Sequence, residues 1–307
     1  MTYNCDKDSK SVSNRIELLK NRNLNFKNPK LFSKYLDYIN TYYHLTGYRF
    51  SLKRYDAIND DYNGHSDLDL IAYCELDKKL SLLFLKETRR IEEAIRAKLS
   101  NICKENDMVS FKLDLNLRKC DLLDNVCNAN TSPKPFINIS SSAFNNLLKN
   151  IYNDLVKIKS ERVISHYLND HNAIIPIWVV VNYISFGTLI SLIDCLSSIK
   201  LDEFTNNKNY KSAANSYDPC RNDLKSIRMI RNKCSHSAIL LSKRSPYLSD
   251  KSIVEFGIIS ICKLIYFFLG EKDIYLRIRD KIENIIKEIN YVYDTDIDYG
   301  FVFVKNI

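Results

Sequence analysis

The chain has 307 residues, 45% of them hydrophobic and 27% charged, enough for one large or two modest domains with a real core. Its formal net charge of +8 suits a polyanionic partner, although a chain this rich in Asn, Ile, Lys and Tyr gains some of that charge from composition alone. Nine cysteines with no CxxC pair and no His at zinc-finger spacing argue against a disulfide framework or a structural zinc, and fit the reduced thiols of a cytoplasm.

The opening residues MTYNCDKDSK carry no apolar run, so they do not read as a signal peptide. The most apolar stretch, Ile253 to Leu269, is shorter than the roughly 20 residues of a membrane span and contains Glu255 and Lys263, so it reads as a core helix. No membrane partner, metal or cofactor is expected. Only six Gly and six Pro, against many Leu, Ile, Lys and Glu, predict an all-α fold.

In chain order, residues 9–50 predict two helices. The second runs through Leu31, Tyr35, Tyr38 and Ile39 to the aromatic cluster Tyr42, Tyr43 and Tyr48, with Gly47 as its stop. Residues 1–65 are thus expected as an N-terminal helical region, and 66–290 as the main helical domain. From Asp67 to Ser100 the apolar positions Leu76, Leu80, Leu83, Phe84, Ile91, Ile95 and Leu99 recur at three and four residues, which predicts one long amphipathic helix.

Residues 121–143 predict a loop insertion, ending at Ser140 to Ser142 as the N-cap of the next helix. Helices are expected at about 142–168 and 177–199, the second entered through Pro176, with Gly187 allowing close helix approach beside the sole Trp, Trp178. After the polar run NNKNYKSAANSYD, Asp218 and Pro219 predict a helix start, and that helix is expected to reach Leu240. Two more helices, at about 251–269 and 272–290, lead to a tail at 291–307 whose YGFVFVKN suggests a short strand.

Residues with chemistry concentrate on the helix that starts near Pro219. Leu224, Ile227, Ile230, Cys234, Ala238 and Leu241 fall on one side, and Arg228, Asn232, Ser235 and His236 on the other. Arg228, Asn232 and His236 line up at i, i+4, i+8. Arg231 lies roughly 140° around an ideal helix from His236, so a single copy does not bring those two together. Two copies about a twofold axis would gather both sets around one cleft.

Histidine moves protons near neutral pH, and arginine offers a fork of donors to phosphate oxygens. That pair meets the needs of RNA cleavage in which the ribose 2′-OH attacks its own phosphodiester without a metal. The same stripe also fits a solvated helix face, or a surface that grips RNA without cutting it. Arg89, Arg90, Glu92 and Arg96 on the long helix fit either support of such a site, contact with RNA, or a solvent-exposed salt bridge.

Five segments, in order, carry a family resemblance: LLKNRNLNF at Leu18 to Phe26, YINTYYHLTGYRF at Tyr38 to Phe50, RRIEEAIRAKL at Arg89 to Leu99, PIWVVVNYISFGTLISL at Pro176 to Leu192, and IRMIRNKCSH at Ile227 to His236. The chain resembles the abortive-infection proteins of the AbiD and AbiF type, which belong to the HEPN superfamily of helical ribonucleases. The resemblance implies a HEPN-like helical bundle with an N-terminal helical extension, dimerisation, and a role in phage defence or toxin-like growth arrest.

The resemblance also implies that RNKCSH is the Arg-x4-His ribonuclease motif. Arg231 would bind the phosphate and transition state, Asn232 would orient, and His236 would act as general acid or base. Arg228, Lys233, Arg89 and Arg96 would contact RNA, with Glu92 in support, and a cognate structured non-coding RNA becomes a plausible partner. Two features depart from the family pattern: His236 is followed by the apolar SAILL, and Ser81 stands where an Arg is usual.

Overall fold

The computed structural model describes residues 11–52, 55–102, 109–124, 136, 141–205, 218–241 and 253–297. The polar runs at 128–135 and 206–217 and the expected strand YGFVFVKN lie outside them. In chain order the helices are α1 (Val12–Lys20), α2 (Pro29–Lys34), α3 (Tyr42–Gly47), α4 (Asp67–Ile102), α5 (Ser142–Lys157), α6 (Arg162–Asp170), α7 (Ile177–Tyr183), α8 (Phe186–Asp194), α9 (Ser198–Thr205), α10 (Asp218–Ser235), α11 (Ile253–Leu269) and α12 (Ile274–Tyr293). A π-helical turn, Tyr35–Ile39, follows α2, and a 3₁₀ turn, Tyr48–Ser51, follows α3. The fold is mainly helical.

A small antiparallel sheet accompanies the helices. β1 (Val109–Asp114) lies between β2 (Lys119–Asp124) and β3 (Ile174–Pro176). Phe111 and Leu113 alternate inward along β1. Asp114 closes the hairpin by accepting from the Asn116 and Leu117 amides at 2.9 and 2.8 Å, while Arg118 takes a left-handed φ of 53°. The hairpin turn contains no glycine, and residues 121–124, expected in a loop, form the end of β2.

The chain forms two compact units, each assembled from separated stretches. One comprises residues 1–86, 229–259 and 273–307, and contains α1 to α3 with the first half of α4. Its core includes Phe32, Leu45, Tyr48, Tyr62, Ile71 and Phe84 from the N-terminal half, with Ile278 and Ile282 from α12. The start of α4 is fixed by a capping box: the Asp69 amide donates to Ser66 Oγ at 3.2 Å, and the Ser66 amide to Asp69 Oδ2 at 2.8 Å. Asp67, itself buried, receives the amides of Lys27 and Asn28 and so ties the entry of α2 to that of α4.

The other unit comprises residues 87–228 and 260–272 and holds the sheet, α5 to α9, and the rest of α4. Ser141 caps α5 by accepting the Phe144 amide at 3.2 Å, as the serine run predicts. The single helix expected over 177–199 is broken at Ser185, which caps α8. Arg96 secures the break: its guanidinium donates to the carbonyls of Val181 and Ile184 and to Glu92. Gly187 is not a close-approach position, because an added Cβ would meet nothing nearer than 3.9 Å.

None of the described helices is long and apolar enough to cross a membrane. Within α11, residues Ile258, Ile261, Cys262, Leu264, Ile265 and Phe267 are buried, which matches its reading as a core helix.

Candidate functional site

The end of α10 differs from the helix expected through Leu240. The α-helical hydrogen bonding closes with the His236 amide on the Asn232 carbonyl at 3.0 Å. Ser237 then turns left-handed, with φ of 51°, and the Ala238 amide bonds the Lys233 carbonyl at 3.0 Å. This six-to-one closure is a Schellman motif, here with Ser in place of the usual Gly, and it makes His236 the C-cap residue. Stopping the helix there turns Ala238 outward and lets the adjacent Leu240 and Leu241 both enter the core, each 1% exposed.

The residues after the motif are held from several directions, all within the first unit. Asp77 of α4, 4% exposed, accepts the Leu240 and Leu241 amides at 2.9 and 2.8 Å and the Tyr48 hydroxyl at 3.2 Å. His44 Nε2 donates to the Ser237 carbonyl at 2.8 Å, Ser51 Oγ to the Leu241 carbonyl at 2.8 Å, and Lys233 Nζ to the Ile239 carbonyl at 3.5 Å. Gly47 passes so close to Ile239 that a Cβ would lie 2.4 Å from its Cδ1. α3 ends at Gly47 as expected, but with an ordinary helical φ of −59°, so close approach rather than a left-handed cap is what calls for glycine there.

The electrostatics of this clamp are set by burial. Desolvation raises the Asp77 carboxyl to about 6, against the lowering effect of its hydrogen bonds. Burial lowers the Lys233 ammonium, partly offset by the Asp77 charge. The Cys234 thiol is pushed up to about 11 by burial, so it is a packed apolar group rather than a nucleophile at neutral pH. Ser81, the departure on α4, bonds that thiol.

The three proposed catalytic residues sit on the outer side of this anchored segment. Arg231 is partly exposed and donates to Asn232 Oδ1 at 3.3 Å. His236 is exposed, and among the described residues its ring makes no hydrogen bond. Arg231 and Asn232 do not bond the His236 ring, in line with the wide angle between positions 231 and 236.

The remaining candidates separate by geometry. Arg228, in the second unit, is partly exposed and has no carboxylate partner among the described residues. Arg89 is exposed and pairs with Glu93 at 3.0 Å. Arg96 and Glu92 are engaged with each other and with the α7–α8 break, so the Arg96 donors face protein carbonyls. Lys233 turns inward toward Ile239 and Asp77. No group of three or more His, Cys, Asp or Glu converges as a metal site among the described residues.

Asp77 and Ser51 were not singled out by sequence reasoning. Their partners Leu240 and Leu241 lie 163 to 190 residues away, and no local spacing signals them. Of the aromatic cluster, Tyr48 is fully buried whereas Tyr43 is 76% exposed.

Comparison with protein families finds a match to the model described as Abi-like protein over residues 34–242, which includes the whole motif and every residue of the clamp. No curated protein and no solved structure matches the chain.

Proposed function

Because the chain belongs to the Abi-like protein family, we propose that it acts in abortive infection, as a metal-independent HEPN endoribonuclease of the cytoplasm. The observation that carries this reading is the end of α10, where a partly exposed Arg231, an exposed Asn232 and an exposed His236, its ring unengaged among the described residues, lie on an anchored turn. The buried Cys234 between them sets the inward face of the helix.

In the proposed reaction the 2′-OH of a ribose loses its proton to one histidine and its oxygen bonds the adjacent phosphorus. The bond from phosphorus to the 5′-oxygen breaks, and that oxygen receives a proton from a second histidine. The products are a 2′,3′-cyclic phosphate and a 5′-OH, and DNA is excluded for want of the 2′-OH. Arg231 holds the negative charge that builds on the phosphoryl oxygens, and Asn232 helps orient it.

Acid and base cannot both be the one histidine of a single copy in the same step. A homodimer supplies the second His236, since an isologous interface presents each group twice. A toxin-like arrest of growth, restrained by a structured non-coding RNA, is the biological setting that fits this activity.

A second reading keeps the RNA and drops the chemistry: the same surface grips a structured RNA without cutting it. The absence of a bond between Arg231 and His236 within one copy favours it. Wild type and His236→Ala are purified in parallel and incubated with single-stranded and total RNA in EDTA. The ribonuclease reading expects cleavage by wild type alone, leaving cyclic-phosphate ends. A discrete co-purifying RNA that neither protein cuts, with affinity falling steeply in salt, supports the binding module instead.

A further inference from the structure

Beside the clamp, the π-helical turn and α3 enclose a cleft of about 520 Å³ lined by Arg15, Tyr38, Asn40, Thr41, Tyr42 and Tyr43, among others. Its volume lies within the roughly 300–1,000 Å³ of small-ligand clefts. Tyr38 and Tyr43 are 84% and 76% exposed, although large aromatic side chains normally bury much of their surface. Tyr42 lines the same cleft, and its ring meets that of Tyr43 edge-on at 5.5 Å.

Arg15 and Asp37 are the charged side chains of the lining, and Arg15 lies at the rings. The Arg15 guanidinium lies 5.3 Å from the centre of the Tyr42 ring, and no carboxylate among the described residues pairs with it. Its donors are therefore open to an anion while its plane is held by an aromatic face. Asp37, the acidic residue of the lining, already accepts the Ser33 hydroxyl at 3.3 Å.

The cleft is tied to the motif through α3. His44 follows Tyr43 directly, and its Nε2 bonds the carbonyl of Ser237, the residue after His236. A ligand chain lying across Tyr38 and Tyr43 would thus touch the helix whose next residue, His44, holds the turn after His236, all within one unit.

We propose that this cleft is a base-stacking subsite for single-stranded RNA, in which the Tyr38 and Tyr43 rings each take an unpaired base and Arg15 holds the phosphate between them. It rests on the reading of the protein as one that acts on RNA, and it names the form of that RNA. Exposed tyrosines with an unneutralised arginine are what a single strand selects, because every base has a face to stack and every linkage carries a charge. The bases of a duplex, already stacked on one another, have no such faces to offer.

The test uses full-length protein carrying His236→Ala, so that no RNA is consumed. Fluorescence anisotropy would follow a short single-stranded RNA, the same strand in a duplex, and the same strand with abasic sites. Tyr38→Ala together with Tyr43→Ala is expected to weaken single-strand binding at least tenfold, with Phe at both positions restoring most of it. Abasic RNA should bind the parent and the double variant alike.

Equal affinity of parent and double variant for the intact strand would overturn the proposal, as would no single-strand binding by the parent. A loss of dimer in the double variant, seen by light scattering, would also overturn it and assign the tyrosines to contact between copies. Failure of wild type to cut RNA, with the base-dependent binding loss intact, would remove the ribonuclease reading alone.

Discussion

Replacing Asp77 with alanine removes the acceptor of two backbone amides that have no access to water, since Leu240 and Leu241 are each 1% exposed. A buried donor left unpaired costs about 1–3 kcal/mol. Two of them, with the Tyr48 hydroxyl also orphaned, set a gross loss of several kcal/mol. Against this stands the cost of burying the carboxylate. A carboxyl raised from 3.8 to about 6 means that folding disfavours its ionised form, by about 3 kcal/mol at about 1.4 kcal/mol per pH unit. Asp77→Ala is therefore expected to lose about 2–4 kcal/mol net at pH 7. Asp77→Asn, which keeps the oxygen acceptor and offers an amide to Tyr48, should be as stable as wild type or more so.

The pH dependence follows with a definite sign. Between about 4 and 6 the folded protein holds the Asp77 proton while the unfolded chain has released it, so the native state binds more protons and stability falls as pH rises through that window. Above about 6 both states are ionised and this contribution is flat. Urea denaturation at pH 4, 5, 6 and 7 for wild type and Asp77→Asn measures it as the difference between the two curves, which cancels the other titrating groups. A difference that does not change with pH, or an Asn variant as unstable as the Ala variant at pH 7, would refute the account of the clamp.

Two further perturbations probe the packing. Gly47→Ala should change stability by less than about 1 kcal/mol, because the group it meets is the movable end of Ile239 and the helical φ at 47 accepts alanine, and it should become favourable by about 1 kcal/mol in an Ile239→Ala background. A double-mutant cycle by thermal denaturation should give a coupling of about 0.5 kcal/mol, and simple additivity would sink the contact. Arg96→Ala should destabilise by about 3 kcal/mol by orphaning the Val181 and Ile184 carbonyls and the Glu92 carboxylate. Arg96→Lys should recover little of it, because an ammonium does not reproduce the guanidinium fork, and full recovery in urea melts would count against that geometry.

The parts of the fold that were legible are those written in local periodicity. α4 was readable from Asp67 to Ser100 because its inward residues recur at helical spacing with nothing to break them, and the structure extends it only to Ile102. Ser141 was readable as a cap because a serine before an apolar helical pattern has one favourable use. The break at Ser185 was not, since the groups that hold it are distant in sequence: Arg96 donates to the Ile184 carbonyl across 88 residues, and Asp154 accepts the Ser185 amide across 31. The β1–β2 hairpin was hidden by a turn without glycine or proline, in which Asp114 and a left-handed Arg118 do the work those residues usually signal.

The motif itself was visible as a polar stripe, but the position of its histidine was not. Periodicity carried α10 through Leu240 because Cys234, Ala238 and Leu241 fall on one helical face. The protein instead gains two buried leucines by stopping at His236, and Asp77 makes that stop affordable by accepting both of their amides. The apolar SAILL segment, a departure when read as an RNA-contacting surface, is thus the anchor of the turn.

This division bears on how the site would work. His236 is held by its backbone, between a buried Cys234 and a clamped Ser237 carbonyl, while among the described residues its ring has none of the hydrogen bonds that ordinarily fix the tautomer and direction of a catalytic imidazole. A general acid or base needs that orientation, and within one copy neither Arg231 nor Asn232 supplies it. Under the proposed ribonuclease reading the missing partner would come from the RNA or from a second copy, and an isolated protomer would lack the catalytic geometry. Such a dependence would suit a protein whose activity harms its own cell.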